Sequence, residues 1–293
     1  MSFPLPRSLT PSKVSSFKDC ALAFRFSAID RLPEPPSIAA LRGTLVHTVL
    51  EKLFWEHDRG ERNRERCAEI LKREQELFFA NDPEWSELNC TQEQQETFAR
   101  EAEKLVDNYF KLEDPNEVNA IGMELMLETR IGSLLLRGII DRLDRDENGN
   151  LVVVDYKTGR SPGIMDESSK LGGVQFYAYL CEEVLGERPV AVKLMYLKDP
   201  ITIALEPTSQ SIKAMASRST AVWSAVEKAC EREDFRPNPG KLCNWCAFHA
   251  HCPAQGGTLP PNPTESNADH NGERPVPAPP GQPAQVTLLE GRS

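Results

Sequence analysis

Hydrophobic and polar positions repeat with two different periods along the chain, and the first period is helical. Residues 37–57 carry leucine and valine every three or four positions, which predicts an amphipathic helix with His47 in its middle. Residues 61–114 are charged and also periodic, and they predict two or three helices with a break at NDPEWSELNCT. We expect this second stretch to be a helical insert or a lid.

The second period is that of β-strands. Apolar, β-branched runs predict strands at 122–131, 134–146 and 150–159. The turn DENGN joins the last two strands as a hairpin. Further elements are predicted as a helix at 171–185, strands at 190–197 and 202–207, and a long helix at 209–232. This order of elements predicts a mixed sheet flanked by helices, hence an α/β domain.

The end of the chain has a different composition. From Gln255 onward, 13 of 39 residues are proline or glycine and no aromatic residue occurs, so the segment lacks the means to bury a core. We therefore predict one domain over residues 1–254 and a disordered tail over 255–293.

The net charge of the whole chain does not exclude a nucleic-acid partner, because the acidic excess is concentrated in one segment. The net charge is −10, but residues 61–128 alone hold 18 acidic and 8 basic side chains, and the remainder is balanced. A local basic groove for nucleic acid is compatible with this distribution.

The absence of membrane and signal segments predicts where the protein is located and the redox state of its cysteines. No run approaches the roughly 20 apolar residues of a membrane helix, and the first residues contain no apolar signal segment. We expect a cytoplasmic protein with no membrane partner. Its eight cysteines are then metal ligands and small buried side chains, since thiols stay reduced there.

The strand NLVVVDYK ends in a group of polar residues. Alternation places Asp155 and Lys157 on one face, and Asp141 lies across the hairpin. Two carboxylates and the Tyr156 carbonyl offer the oxygen ligands that Mg²⁺ prefers. Lys157 would orient or help deprotonate an attacking water. The alternative is a strand-end ion pair, with Asp141 capping a turn.

The spacing D-x13-D-x-K on a hairpin resembles the PD-(D/E)XK nuclease superfamily, and GIIDRLD…VVVDYKTG resembles its RecB-like exonuclease branch. RGTLVH (42–47) resembles that branch's first motif, whose histidine is a metal ligand. QFYAY (175–179) resembles its Q-x-x-x-Y motif. The sequence departs from the superfamily's name, because Ile140 replaces the proline and the second acid is aspartate.

The resemblance implies a set of site residues. Its catalytic residues are Asp141, Asp155, Lys157, Gln175 and Tyr179, and its Mg²⁺ or Mn²⁺ ligands are His47, Asp141 and Asp155, to which the Tyr156 carbonyl is added from its place between Asp155 and Lys157. Gln175 and Tyr179 are also candidate DNA contacts. Arg42 and Arg160 are further candidates, as members of a local basic path. Gln175 and Tyr179 lie one turn apart on a helix, about 6 Å along one face, so both can reach one cleft. We assign Phe176 and Tyr177 to packing. For Glu124 and Glu128 we favour a solvated strand face, with a contribution of one of them to the site as the alternative.

Three cysteines, Cys243, Cys246 and Cys252, form a C-x2-C-x5-C cluster, and Cys20 is the candidate for a fourth ligand. This arrangement resembles the AddB-like and CRISPR-associated exonucleases of the same branch, in which such cysteines bind a [4Fe–4S] cluster. Structural zinc is the alternative, with His249 and His251 nearby. Either group would tie the N-terminal segment to the C-terminal one.

The resemblance therefore implies a metal-dependent DNA exonuclease that acts on single-stranded or frayed ends in repair. The chain contains no G-x-x-x-x-G-K-[ST] motif, so a separate helicase would open the substrate. The alternatives are an inactive iron–sulfur DNA-binding subunit of a helicase–nuclease complex and a CRISPR spacer-acquisition nuclease.

Overall fold

The computed structural model describes residues 2–162 and 172–261. The helices are α1 (Pro11–Asp19), α2 (Ala21–Phe24), α3 (Ile38–Glu56), α4 (Arg64–Asn81), α5 (Pro83–Glu87), α6 (Gln92–Tyr109), α7 (Gly172–Leu185) and α8 (Ser209–Arg232). The strands are β1 (Ala120–Ile131), β2 (Leu134–Arg145), β3 (Leu151–Lys157), β4 (Ala191–Tyr196) and β5 (Ile201–Leu205). Short 3₁₀ turns follow in the cysteine-rich segment. The predicted tail lies, from residue 262 onward, outside the described residues.

The helices begin where the sequence supplies caps. The side chain of Ser37 accepts a hydrogen bond from the third residue of α3, and Asn63 does the same for α4. Thr91 and Gln94 form a reciprocal capping box at the start of α6. The predicted helix at 37–57 is α3, and the charged stretch forms three helices, α4 to α6, as predicted.

The five strands form one mixed sheet in the order β1-β2-β3-β4-β5. β3 pairs antiparallel with β2 and parallel with β4, and β5 pairs antiparallel with β4. The turn between β2 and β3 is held by Asp146, whose carboxylate accepts backbone N–H bonds from Asn148 and Asn150. Every residue of β3 except Lys157 is buried, as expected for a central strand covered on both faces. The α/β prediction is confirmed.

The described chain divides into two compact units. The larger unit comprises residues 36–127, 139–162 and 172–209, and the terminal unit comprises residues 2–35, 128–138 and 210–261. In the terminal unit, the backbone N–H of Phe3 bonds to the carbonyl of Cys230 at 3.1 Å, and the ring of Phe3 packs edge-on against Phe235. The N-terminal segment therefore packs against the end of α8 and the residues that follow it, within one unit.

One hydrophobic core of the larger unit lies on the face of the sheet that α3, α4 and α6 cover. There Val152, Val154 and Tyr156 of β3 share one apolar cluster with buried residues of α3, α4 and α6. Residues 61–114 thus form a layer that covers the sheet, with side chains such as Phe98 and Leu105 in the shared core. This packing does not fit the lid that we expected, because opening a lid would expose the core.

The guanidinium of Arg142 on β2 is fully buried against this helical layer. Arg142 donates to both carboxylate oxygens of Asp144 and, at 2.5 and 3.0 Å, to both of Glu113. It also donates to the hydroxyls of Tyr156 at 2.7 Å and Tyr109 at 3.3 Å. Two carboxylates and two hydroxyls compensate the desolvated charge, which would otherwise be very costly to bury. Arg142 thereby fixes β2, β3 and the end of α6 to one another.

No helix of residues 2–162 and 172–261 has both the length and the apolar character that a membrane span requires.

We expect Arg142→Met to lower the free energy of unfolding by about 3–5 kcal/mol, because Glu113 and Asp144 would stay buried without their cation. Urea denaturation followed by circular dichroism measures this change. Arg145→Met is the matched control on the same strand, since Arg145 pairs with Glu187 at a site where both side chains are more than a third exposed. The control should cost less than about 1 kcal/mol. Equal losses in the two variants would contradict the assignment.

Candidate functional site

The polar end of β3 contains a close ion pair. Lys157 Nζ lies 2.5 Å from Oδ2 of Asp155, with the carboxylate buried and the ammonium side chain 45 % exposed. Apart from this ammonium, the buried Asp155 Oδ2 has no hydrogen-bond partner among the described residues. An incompletely satisfied carboxylate oxygen is the kind of atom that a bound cation can complete.

The end of β2 approaches the same point. The backbone N–H of Tyr156 donates to Asp141 Oδ2 at 2.6 Å, which holds that carboxylate against β3. From α3, His47 Nδ1 lies 3.6 Å from the same oxygen. A Cβ at Gly43, one turn before His47, would lie 3.1 Å from Thr158 Oγ1. Glycine at this position therefore allows α3 to approach the end of β3 closely.

A further carboxylate enters from β1. Glu124 Oε1 lies 3.9 Å from His47 Nδ1, and His47, Glu124 and Asp141 have ligand atoms within 4.8 Å of one another. Glu124 has a positive φ of 45°, and the burial alternation of β1 is interrupted just before it, where Gly122 and Met123 are both buried. Such irregularities re-aim side chains next to functional sites. Of the two alternatives for Glu124, this position favours a contribution to the site over a solvated strand face, and alternation could not decide between them because it does not reveal a left-handed backbone.

The electrostatics of the site are dominated by clustered negative charge. Burial, together with the charges of Asp155 and Glu124, raises the pKa of Asp141 to about 7, although His47 opposes the shift. Burial lowers the pKa of His47, but its hydrogen bond to Glu124 and the nearby carboxylates outweigh burial and raise it. Burial likewise lowers the pKa of Lys157, and the adjacent Asp155 outweighs it and raises that pKa. The carboxylates therefore repel one another and attract cations.

Helix α7 contributes a residue that we had assigned to packing. The hydroxyl of Tyr177 is hydrogen-bonded to Asp155, and burial and the nearby carboxylates raise its pKa. Tyr177 therefore reaches the carboxylate group. Tyr179 is two residues on, about 200° around the helix, and burial and the charges of Glu182 and Glu183 raise its pKa. Gln175 is half-buried on the same helix, and the structure leaves the roles of Gln175 and Tyr179 as predictions.

The two arginines predicted to contact substrate both have acidic neighbours. Arg42 pairs with Glu101 of α6, and its side chain is only 14 % exposed. Its Nε atom is buried and has no hydrogen-bond partner among the described residues. Arg160 follows β3, is exposed, and lies close enough to Asp199 for its charge to help lower the pKa of that carboxyl, after two hydrogen bonds from Ser161.

The terminal unit contains a cavity of about 450 Å³ near its cysteine cluster. Its lining includes Cys20, Cys243, Cys246 and Cys252. The backbone N–H of Asn238 donates to Cys20 Sγ, and that of Gly240 donates to Cys243 Sγ, both at 3.4 Å. Hydrogen bonds of this kind stabilise negative charge on sulfur. The structure therefore brings all four predicted cysteines to one cavity, and His249 also lines it.

The remaining cysteines behave as small apolar side chains. Cys67, Cys181 and Cys230 are buried and Cys90 is half-buried. Burial, followed by a nearby carboxylate, raises the pKa of Cys67 to about 12, and the same holds for Cys181. Thiols with such pKa values stay protonated and are poor metal ligands.

A family comparison and one solved structure support the nuclease fold. The profile of the PD-(D/E)XK nuclease superfamily matches residues 8–253. A solved structure from Eubacterium rectale, named as a "putative exonuclease", covers 82 % of this chain and 87 % of its own, with 12 % identity and a TM-score of 0.52. A second structure, of a protein designated SSO0001, has 13 % identity over 85 % of this chain and 87 % of its own, with a TM-score of 0.39. No curated protein matches the sequence.

We expect Glu124→Gln to weaken Mn²⁺ binding at least about tenfold, because the neutral amide removes one of three clustered anionic or imidazole ligands. Isothermal titration calorimetry at pH 8, where Asp141 is ionised, measures the affinity. Glu128→Gln, four residues along the same strand and paired with Arg137, is the control and should bind as the unaltered protein does. An unchanged affinity in Glu124→Gln would show that Glu124 is not a ligand.

Proposed function

The chain belongs to the PD-(D/E)XK nuclease superfamily, and from this premise we propose that it is a Mg²⁺- or Mn²⁺-dependent exonuclease of the RecB-like branch, degrading single-stranded or frayed DNA in repair. The observation that carries the proposal is the convergence of Asp141, Asp155 and Lys157 with His47 at the ends of β2 and β3. A purely structural ion pair would not explain why several carboxylates gather where their charges repel one another.

The donor set suits a hard divalent cation. His47, Asp141, Asp155 and the Tyr156 carbonyl would hold it, and Glu124 joins this set on the strength of its position. When bound, such a cation polarises a phosphoryl oxygen and acidifies a water molecule. Burial is the main cause of the raised pKa of Asp141, and a bound cation would relieve the repulsion from Asp155 and Glu124 that adds to it.

The side chains around the carboxylates have separable roles. Lys157 is held protonated by Asp155, which favours orienting the attacking water and offsetting phosphate charge over accepting a proton. The hydroxyl of Tyr177 positions Asp155 through their hydrogen bond. Gln175 and Tyr179 remain candidates for substrate contact on α7. Arg42 and Arg160 are further candidates, and a phosphate would have to compete with Glu101 for Arg42.

We also propose that Cys20, Cys243, Cys246 and Cys252 hold a [4Fe–4S] cluster. These four cysteines line one cavity of about 450 Å³, and backbone N–H groups donate to the sulfurs of Cys20 and Cys243. Structural zinc is the alternative occupant of the same four thiolates. When bound, the cluster supplies a covalent tie between the chain's two ends.

The test of the proposed function compares linear and covalently closed circular single-stranded DNA of one sequence, with Mg²⁺ or Mn²⁺. We expect the linear strand to be degraded and the circle to persist, since an exonuclease requires an end. Lys157→Met should reduce cleavage by at least about 10³-fold because the phosphate charge is no longer offset. Denaturing gels of labelled DNA measure both effects.

The control for this test is Lys198→Met, which alters an exposed lysine beyond β4. This variant should cleave DNA at the normal rate. Equal rates on the linear and circular strands would exclude the exonuclease, and full activity in Lys157→Met would exclude the nuclease site as assigned. A helicase partner would be expected to increase degradation of duplex DNA without changing the rate on linear single strands.

For the cluster, we expect anaerobically purified protein to be brown and to contain about four irons per chain. Cys20→Ser should remove the colour and lower the melting temperature as much as Cys246→Ser does, because each removes one tie. Cys90→Ser, a half-buried cysteine outside the cavity lining, is the control and should keep its iron. Colourless protein with one zinc per chain would contradict the cluster.

A further inference from the structure

Positive charge is unevenly distributed between the two units. Residues 1–35, 128–138 and 210–261 contain 13 lysines and arginines against 8 acidic residues. Residues 36–127 and 139–209 contain 19 basic residues against 32 acidic ones. We call the larger unit the catalytic unit because it contains the proposed nuclease site. A DNA backbone is repelled by the net charge of this unit and attracted by that of the terminal unit.

Three cations of the terminal unit lie close together. The start of β2 pairs with the segment before α1, where Leu9 bridges Leu136 and the backbone N–H of Arg137 bonds to the carbonyl of Leu9 at 3.0 Å. Lys13 follows in the first turn of α1, and its Nζ donates to the carbonyl of Ser8 at 3.1 Å. This pairing brings the Lys13 and Arg137 side chains to the same region.

Arg31 completes this group, which we call the cation cluster: Lys13, Arg31 and Arg137. Arg31 is exposed and has a left-handed backbone with a φ of 52°. Burial lowers the pKa of Lys13, and the charges of Arg137 and then Arg31 lower it further, so both lie within electrostatic reach. Glu128, which pairs with Arg137, is the one carboxylate with a described ion pair to the cluster. The cluster therefore carries an excess of positive charge.

We propose that the cation cluster binds a phosphate of the DNA strand that the catalytic unit cleaves. Gathering three like charges destabilises the unit unless an anion compensates them, and two guanidiniums offer forked donors that match phosphate oxygens. The lysine bond to Ser8 uses one of its three donors. The proposal rests on the proposed nuclease function, and it assigns backbone binding to a surface separate from the carboxylates.

The test measures binding without cleavage. A fluorescein-labelled single-stranded oligothymidylate is titrated with protein in EDTA at several salt concentrations, and anisotropy gives the affinity. The Arg31→Gln/Arg137→Gln double variant should bind at least about tenfold more weakly, and the slope of log K against log salt should fall by about 0.7 for each single-strand phosphate that the variant no longer neutralises. Lys213→Gln/Lys228→Gln is the matched control, because it removes two exposed cations from α8 of the same unit.

Cleavage at saturating DNA separates this proposal from the nuclease function. The double variant should keep the kcat of the unaltered protein while its KM rises with the weakened binding, because no carboxylate of the site is touched. If its affinity and salt slope are unchanged, or if the control is weakened as much, the cation cluster is not a phosphate site and the nuclease proposal stands. If the unaltered protein neither binds nor cleaves DNA, both proposals are overturned.

Discussion

The hydrogen bond from the Tyr156 N–H to the Asp141 carboxylate joins the ends of β2 and β3 and determines where the other polar groups can lie. The opposite face of the same two strands is held by Arg142, which bonds to the Tyr156 hydroxyl and lies beside Asp141 in sequence. On each strand, one residue (Asp141 or Asp155) thus faces the cluster of carboxylates. The next residue (Arg142 or Tyr156) faces the opposite side of the sheet, where the buried guanidinium lies. The rigidity of that second contact is what keeps the first in register.

The cluster of carboxylates at this site is electrostatically unfavourable by itself, and several features around it reflect this cost. Asp141 has a raised pKa, Asp155 keeps a buried oxygen without an ordinary hydrogen bond, and Glu124 has a strained backbone. Each feature costs free energy in the folded state, and Lys157 and His47 offset only part of the charge. Strain and repulsion concentrated at one point, within an otherwise well-packed unit, are what a binding site for a cation requires.

The terminal unit also gathers groups of like chemical character, but here they are sulfurs and cations. Its cysteine sulfurs accept backbone N–H bonds while they line one cavity, and its cations gather around Lys13. Both arrangements accumulate groups that prefer a partner of opposite character, metal ions for the sulfurs and an anion for the cations. Under the proposed function, the acidic unit would hold the metal ion and the basic unit would bind the DNA backbone.

The sequence by itself determined the local elements and the residues that alternate on one face. Strand alternation put Asp155 and Lys157 together, and the hairpin turn brought Asp141 opposite them, because these relations depend only on neighbours in the chain. Only the tertiary structure decided that Glu124 and Tyr177 reach the carboxylates, that Glu101 pairs with Arg42, and that the charged helices form a core layer. A left-handed residue, the rotation of a helix and the partner of a charge depend on contacts between distant segments, which periodicity does not encode.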